Sequence, residues 1–217
     1  MTLDINRIEC LIFDLDGTLV DSEVLCQQAH CDVVPDLDWD AAYLINHYRG
    51  IKLVDIVRAI EDRIGQSLGA DYELRYRARV AELFDSQLQA FPDVTETVKA
   101  LDLPRCIASS GPLNKMRHSL GLTGLLPLFE PHLFSSYAID SWKPEPDLFL
   151  HAAEAMGVAP EACLVIEDSG PGIEAAKAAG MQYLLHCPDG HQPPKGYDGP
   201  HFSHYASFPL LGPHSQV

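Results

Sequence analysis

Two aspartates stand one residue apart in the stretch Leu11-Ile12-Phe13-Asp14-Leu15-Asp16-Gly17-Thr18, directly after an apolar run. Like charges this close repel unless something positive lies between them or one of them holds a proton. Such a pair suits a division of labour, in which one carboxylate attacks an electrophile and the other moves protons. Three further positions have side chains that would serve the same chemistry. Ser109 ends the run RCIAS, Lys143 stands before Pro144, and Glu167-Asp168 closes ACLVIE ahead of Ser169-Gly170-Pro171-Gly172. A hydroxyl, an ammonium and acidic oxygens are the groups that hold a phosphoryl oxyanion and a hard cation. Alone, Asp14-Leu15-Asp16-Gly17-Thr18 would also suit a plain turn, since Asp and Gly favour turns. Its three companions argue against that plainer meaning. Gly170 and Gly172 are read as no more than the start of a helix.

The elements that must position these groups follow from periodicity. Residues 8–13 read as a buried strand ending at Asp14. From Asp21 to about Ala90 the pattern is helical throughout. A first helix is opened by Asp21-Ser22, and a second follows Trp39. A third carries Leu53, Ile56, Val57, Ile60 and Ile64 on one face, and a fourth carries Leu74, Ala78, Ala81 and Leu88. Beyond Pro92, strands ending at Ser109, Ser135, Glu167 and His186 alternate with helices near 94–101, 112–120, 146–156 and 173–179. The tail after Pro188 is rich in Pro, Gly and His and reads as irregular.

This alternation predicts an α/β fold: a Rossmann-like three-layer core with a parallel sheet. The core takes residues 1–19 and 90–217, and an all-helical domain, residues 20–89, is inserted into it. Crevices in such sheets lie at the carboxyl ends of the strands. Asp14, Ser109 and Glu167-Asp168 fall at those ends, and Lys143 falls in the loop after another.

Composition narrows the partners. The chain has 217 residues, 15 Lys and Arg against 31 Asp and Glu, and a formal charge of −16. That balance disfavours nucleic acid and anionic membranes, yet leaves room for a small phosphorylated metabolite beside a bound cation and a few placed lysines. No stretch approaches the roughly 20 apolar residues of a membrane helix, and the amino terminus lacks a signal-peptide core. The six scattered cysteines read as reduced, buried thiols, and the expected location is the cytoplasm. Of ten histidines, five fall from His186 onward without metal-site spacing, and His118 and His151 read as helix residues near the core.

The ordered motifs Asp14-Leu15-Asp16-Gly17-Thr18, Ser109, Lys143-Pro144 and Glu167-Asp168 resemble those of the haloacid dehalogenase-like hydrolases. The helical insert between the first two is similar to that family's α-helical type 1 cap. Within the family, "RGIKLVDI", "ARVAELFDSQL", "SSGPLNKMRHSLG" and "LFSSYAIDSWKPEPDLFLHAAEAM" resemble bacterial phosphatases acting on 6-phosphogluconate. The linker "HCDVVPDLDWD" and the tail after Cys187 match less well.

The resemblance implies a Mg²⁺-dependent phosphatase with Asp14 as nucleophile and Asp16 as general acid and base. It implies Mg²⁺ ligands from the Asp14 carboxylate, the Asp16 main-chain carbonyl and Asp168, with Glu167 acting through water. Ser109 and Lys143 would hold the phosphoryl group. Arg49 and Lys52, before the third insert helix, are candidates for a second anionic group. Asn114 and Lys115, after Ser109, could both face the crevice, Asn114 as a candidate substrate contact, although an ordinary place on the helix surface is the preferred reading of the two.

Three rivals share parts of this pattern. A β-phosphoglucomutase-like phosphotransferase would carry a His twelve residues past the nucleophile, where this chain has Cys26. A dehalogenase has no alkoxide to protonate and would lack the second acid, Asp16. A non-catalytic phospho-acceptor domain would lack the large helical insert. The oligomeric state has no signature in the sequence.

Overall fold

The computed structural model describes residues 3–211. The chain divides into two compact units, one made by the chain up to Val20 and from Ala90 onward, the other by Asp21–Gln89.

The first unit is built on six parallel strands, β1 (Cys10–Phe13), β2 (Arg105–Ser109), β3 (Leu133–Ser135), β4 (Cys163–Glu167), β5 (Gln182–His186) and β6 (His201–Phe202). Their order is β3-β2-β1-β4-β5-β6. Every residue of β1, β4 and β5 is buried, as befits strands covered on both faces, and this is why they read as unbroken apolar runs rather than alternations. Register aligns the strand ends: Phe13 sits opposite Ile107 of β2 and Ile166 of β4. The residues just past those positions therefore emerge side by side.

The helical unit holds α1 (Glu23–Val33), α2 (Ala41–Tyr48), α3 (Leu53–Ile64) and α4 (Tyr72–Gln87). The Asp40 carboxylate caps α2 by accepting the Tyr43 amide at 2.7 Å, and Gly65 ends α3 at φ 72°. Ile56 and Ile60 are the buried centre of the α3 face that the sequence predicts. In α4 the expected face is wrong. Leu74 is 74% exposed, and the buried side is Tyr72, Val80, Leu83 and Phe84. Rings decide this: Tyr72 and Tyr76 stack on buried His30 of α1, with centroids 6.2 and 4.2 Å away.

Six more helices belong to the sheet unit: α5 (Val94–Ala100), α6 (Leu113–Leu122), α7 (Leu126–Phe129), α8 (Ser136–Ile139), α9 (Asp147–Met156) and α10 (Gly170–Ala178). Helices α9 and α10 bury Leu148, Phe149, Ala152, Ile173 and Ala176 against Cys10, Ile12, Cys106 and Val165. Phe13 packs edge-on against Phe129 of α7 and stacks with Phe208. The short α7 and α8 escape a periodicity reading because one turn carries no period.

The tail is the larger correction. Strand β6 pairs with β5, matching Leu185 to His201 and His186 to Phe202, and a 3-10 turn follows at Tyr205–Ser207. Phe202, Tyr205 and Phe208 are all buried. An aromatic every third residue is the packing signal that the surrounding Pro, Gly and His concealed. His214 lies outside the described residues. All six cysteines are free thiols. His118 is half-buried on α6, and His151 is exposed on α9. Among the described residues no helix is long and apolar enough to cross a membrane.

Candidate active site

With the order β3-β2-β1-β4-β5-β6, neighbouring connections run in opposite directions on either side of β1, and the crevice opens at the carboxyl ends of β1 and β4. Asp14 follows β1 directly and its amide donates to the Ile166 carbonyl at 2.9 Å, which locks it to β4. Glu167 ends β4 and Asp168 is next. Acidic oxygens of Asp14, Glu167 and Asp168 all lie within 4.8 Å of one another, and all three residues are buried.

Lys143 ties this group together. Its Nζ donates to Asp14 Oδ1 at 2.5 Å, to Glu167 Oε1 at 2.8 Å and to the Ala108 carbonyl at 3.2 Å. Its side chain is only 4% exposed. Burial works against the ammonium charge, but Asp14 and Glu167 outweigh it and hold Lys143 above its ordinary value. Burial pushes the Asp14 carboxyl up to about 8; Lys143 opposes that rise, while Glu167 and Asp16 add to it. Positive charge beside Asp14 would restore its carboxylate form.

Glu167 has both oxygens engaged. Oε1 meets Lys143, and Oε2 accepts the Ser169 amide at 2.6 Å and the Ser169 hydroxyl at 2.8 Å. Ser169 in turn caps α10 by accepting the Gly172 amide at 3.2 Å. Gly172 therefore does more than start a helix, because a Cβ there would stand 1.9 Å from the Glu167 carboxyl carbon. Gly17 makes the same kind of room: it takes φ 75°, and a Cβ on it would lie 2.3 Å from Asp168 Oδ2.

Ser109, at the end of β2, is 1% exposed, and its oxygen accepts the Gly111 amide at 3.1 Å, leaving the hydroxyl proton to donate elsewhere. The Ser135 hydroxyl at the end of β3 holds the Gly111 carbonyl at 2.7 Å. Lys115 corrects the sequence reading. It is no ordinary surface residue, for its Nζ lies 2.8 Å from Asp16 Oδ2 and both side chains are about four-fifths buried, 21% and 19% exposed. A lysine six residues past Ser109, in the first turn of the helix that leaves that strand, is the signal that could have found it. Asn114 beside it is exposed. Arg49 follows α2, half-buried, and exposed Lys52 stands just before α3 without a side-chain capping bond; both belong to the helical unit.

The donor set suits a hard divalent cation. Three buried carboxylates face one buried ammonium, so the cluster carries excess negative charge away from water, and all its acidic donors are oxygens. Asp14 and Asp168 could hold such an ion directly, while the Glu167 oxygens already bond Lys143 and Ser169.

The chain is similar in sequence and fold to known proteins. The family model for haloacid dehalogenase-like hydrolases matches residues 8–180. The chain is 40% identical over 192 residues to 6-phosphogluconate phosphatase of Escherichia coli K12, covering 87% of each chain. It is 32% identical over 188 residues to hexitol phosphatase B of the same organism, covering 83% of this chain and 84% of the other. Among solved structures, a haloacid dehalogenase-like protein of unknown function from Agrobacterium tumefaciens superimposes with a TM-score of 0.79 at 28% identity, over 91% of this chain and 94% of that one. On this match of sequence and fold, the chain belongs to the haloacid dehalogenase-like hydrolases, as an enzyme of the phosphatase kind.

Proposed function

We propose that this enzyme is a Mg²⁺-dependent phosphomonoesterase that works through an aspartyl-phosphate on Asp14 and acts on a small phosphorylated sugar or sugar acid, 6-phosphogluconate foremost. The observation that carries this reading is the buried tie of Lys143 to both Asp14 and Glu167, with Asp168 alongside. It gathers three acidic side chains and an ammonium at one strand-end crevice, which supports reading them as a nucleophile, a cation and metal-holding oxygens. The 40% identity to a 6-phosphogluconate phosphatase supports the substrate class.

In the first step an Asp14 oxygen attacks phosphorus; the new P–O bond forms as the ester P–O bond breaks. Asp16 gives its proton to the departing alkoxide. Water then attacks phosphorus, Asp16 takes its proton, and the Asp14 carboxylate is released with inorganic phosphate. Lys115, bonded to Asp16 Oδ2, fixes which way that carboxyl points. The Ser109 hydroxyl and the Lys143 ammonium hold the equatorial phosphoryl oxygens, where charge gathers. Asp14, the Asp16 carbonyl and Asp168, with Glu167 through water, would hold a Mg²⁺, which would supply further positive charge there. Arg49 and Lys52 of the helical unit, and Asn114, are proposed to meet the rest of the substrate, the two cations by pairing with a second anionic group. The small substrate, the free thiols and the absence of basic excess fit work in the cytoplasm.

Steady-state kcat/KM over a panel of phosphorylated sugars, sugar alcohols and sugar acids tests the substrate. Highest turnover on 6-phosphogluconate is expected, and a better hexitol phosphate or a non-sugar ester would displace it. Asp16→Asn is expected to cost about 10²- to 10⁴-fold in kcat while the fold survives.

A further inference from the structure

The loop that carries both aspartates is held from behind by the C-terminal segment. Gly17 and Thr18 are consecutive residues past β1, and among the described residues no backbone amide bonds either carbonyl. Each is met by one buried side chain. His186 Nδ1–H donates to the Gly17 carbonyl at 3.0 Å, and the Tyr205 hydroxyl donates to the Thr18 carbonyl at 2.8 Å. A carbonyl accepts only, which makes the His186 Nδ1 the donor. His186 and Tyr205 are each 1% exposed.

Neither donor is loose. The His186 ring lies between Phe91, Phe202 and Tyr205, with centroids 4.6, 5.0 and 5.1 Å away. Tyr205 packs edge-on to Phe202 and parallel to Phe208. Its own carbonyl accepts the Thr97 hydroxyl of α5 at 3.0 Å. Burial keeps the imidazole neutral at ordinary pH, lowering it to about 4. The carbonyls matter because they lie one and two residues past Asp16, where Gly17, at φ 75°, has no Cβ to obstruct Asp168, so tethering them holds the backbone that leaves the aspartate pair.

We propose that His186 and Tyr205 form a positioning clamp that fixes the Gly17 and Thr18 carbonyls and thereby the attack geometry of Asp14 and Asp16. They touch no reacting atom. The proposal rests on the catalytic roles given above to Asp14 and Asp16.

Tyr205→Phe keeps the ring and removes one hydroxyl. His186→Leu removes the other donor, and His186→Asn restores an N–H at the same reach. Amide hydrogen exchange of a peptide spanning residues 15–20 reads the loop directly, with a β4 peptide as internal control. The clamp predicts exchange about tenfold faster in the loop but unchanged in β4, in Tyr205→Phe and His186→Leu alike. It predicts kcat down about 10- to 100-fold at nearly constant KM, with His186→Asn recovering most of both losses. Unchanged loop exchange, or a kcat loss that only follows the unfolded fraction, would overturn it. Faster loop exchange with full activity in Asp14→Asn would leave the clamp standing and sink the catalytic reading instead.

Discussion

Lys143 in the sheet unit is 4% exposed and joined to carboxylates 129 and 24 residues away in sequence, whereas Arg58 and Arg75 in the helical unit are 70% and 43% exposed and pair with Asp55 and Asp71 one turn away. The helical pairs are the local kind that any solvated helix can make, and water screens them. The Lys143 tie is non-local and dry. Moving these ions out of water is costly, and the gain returns only while every partner is present. Such an arrangement is a poor device for stability and a good one for chemistry, because it fixes charged groups where a reacting phosphoryl would sit.

Removing one partner from each kind of pair should separate them most widely. Lys143→Ala strands Asp14 and Glu167, and we expect about 3–5 kcal/mol lost in urea unfolding. Turnover should fall about 10²- to 10³-fold in the same variant. A mild effect on either would mean that the tie has no special part. Arg58→Ala, at the other extreme, should leave the unfolding midpoint and kcat unmoved.

Glycine substitutions sharpen the contrast. Gly172→Ala drives a Cβ into the Glu167 carboxyl group and should cost about 1–3 kcal/mol. Because Glu167 drags Lys143 with it, kcat should fall about tenfold or more. Gly65→Ala in the helical unit meets nothing within 4 Å and strains only its φ of 72°. It should cost about 1–2 kcal/mol and spare the chemistry. Equal kcat losses in the two variants would break the comparison.

One feature is common to both units: a buried neutral histidine. Burial lowers His30 and His186 to about 4. The unfolded chain takes up these protons from about pH 6.5 downward, while the native state refuses them until about pH 4. The unfolded state thus binds more protons in that window, and stability falls as pH drops through it, by roughly 3 kcal/mol per histidine when complete. Thermal melts between pH 7 and 4.5 should show this slope, and His30→Phe should flatten its share. A pH-independent midpoint would mean that these rings are not held neutral.

The strand ends were readable because apolar runs bounded by Asp14, Ser109 and Glu167 carry both the element and the residue that matters at its mouth. Asp168 follows Glu167 by the same adjacency, whereas Lys143, eight residues past Ser135 with α8 between, stood out only by the Pro144 after it. Lys115 was named beside Asn114 but given the surface reading, because a lysine on a helix looks like any other until its long side chain is traced back to Asp16. The α4 face was misread because Leu and Ala were weighed above Tyr72 and Tyr76, whose rings decide the packing. The tail was set aside on composition, yet its two clamp-side residues, Phe202 and Tyr205, needed only their spacing to be seen. Periodicity reports local pattern; contacts between distant segments leave almost none.

The covalent role of Asp14 can be met directly by acid-quenching the enzyme during turnover of a ³²P-labelled sugar phosphate and mapping the label by peptide. Label on the peptide carrying Asp14, absent from Asp14→Asn and chased away by unlabelled substrate, is the predicted result. Sustained turnover with no label on that peptide would contradict it.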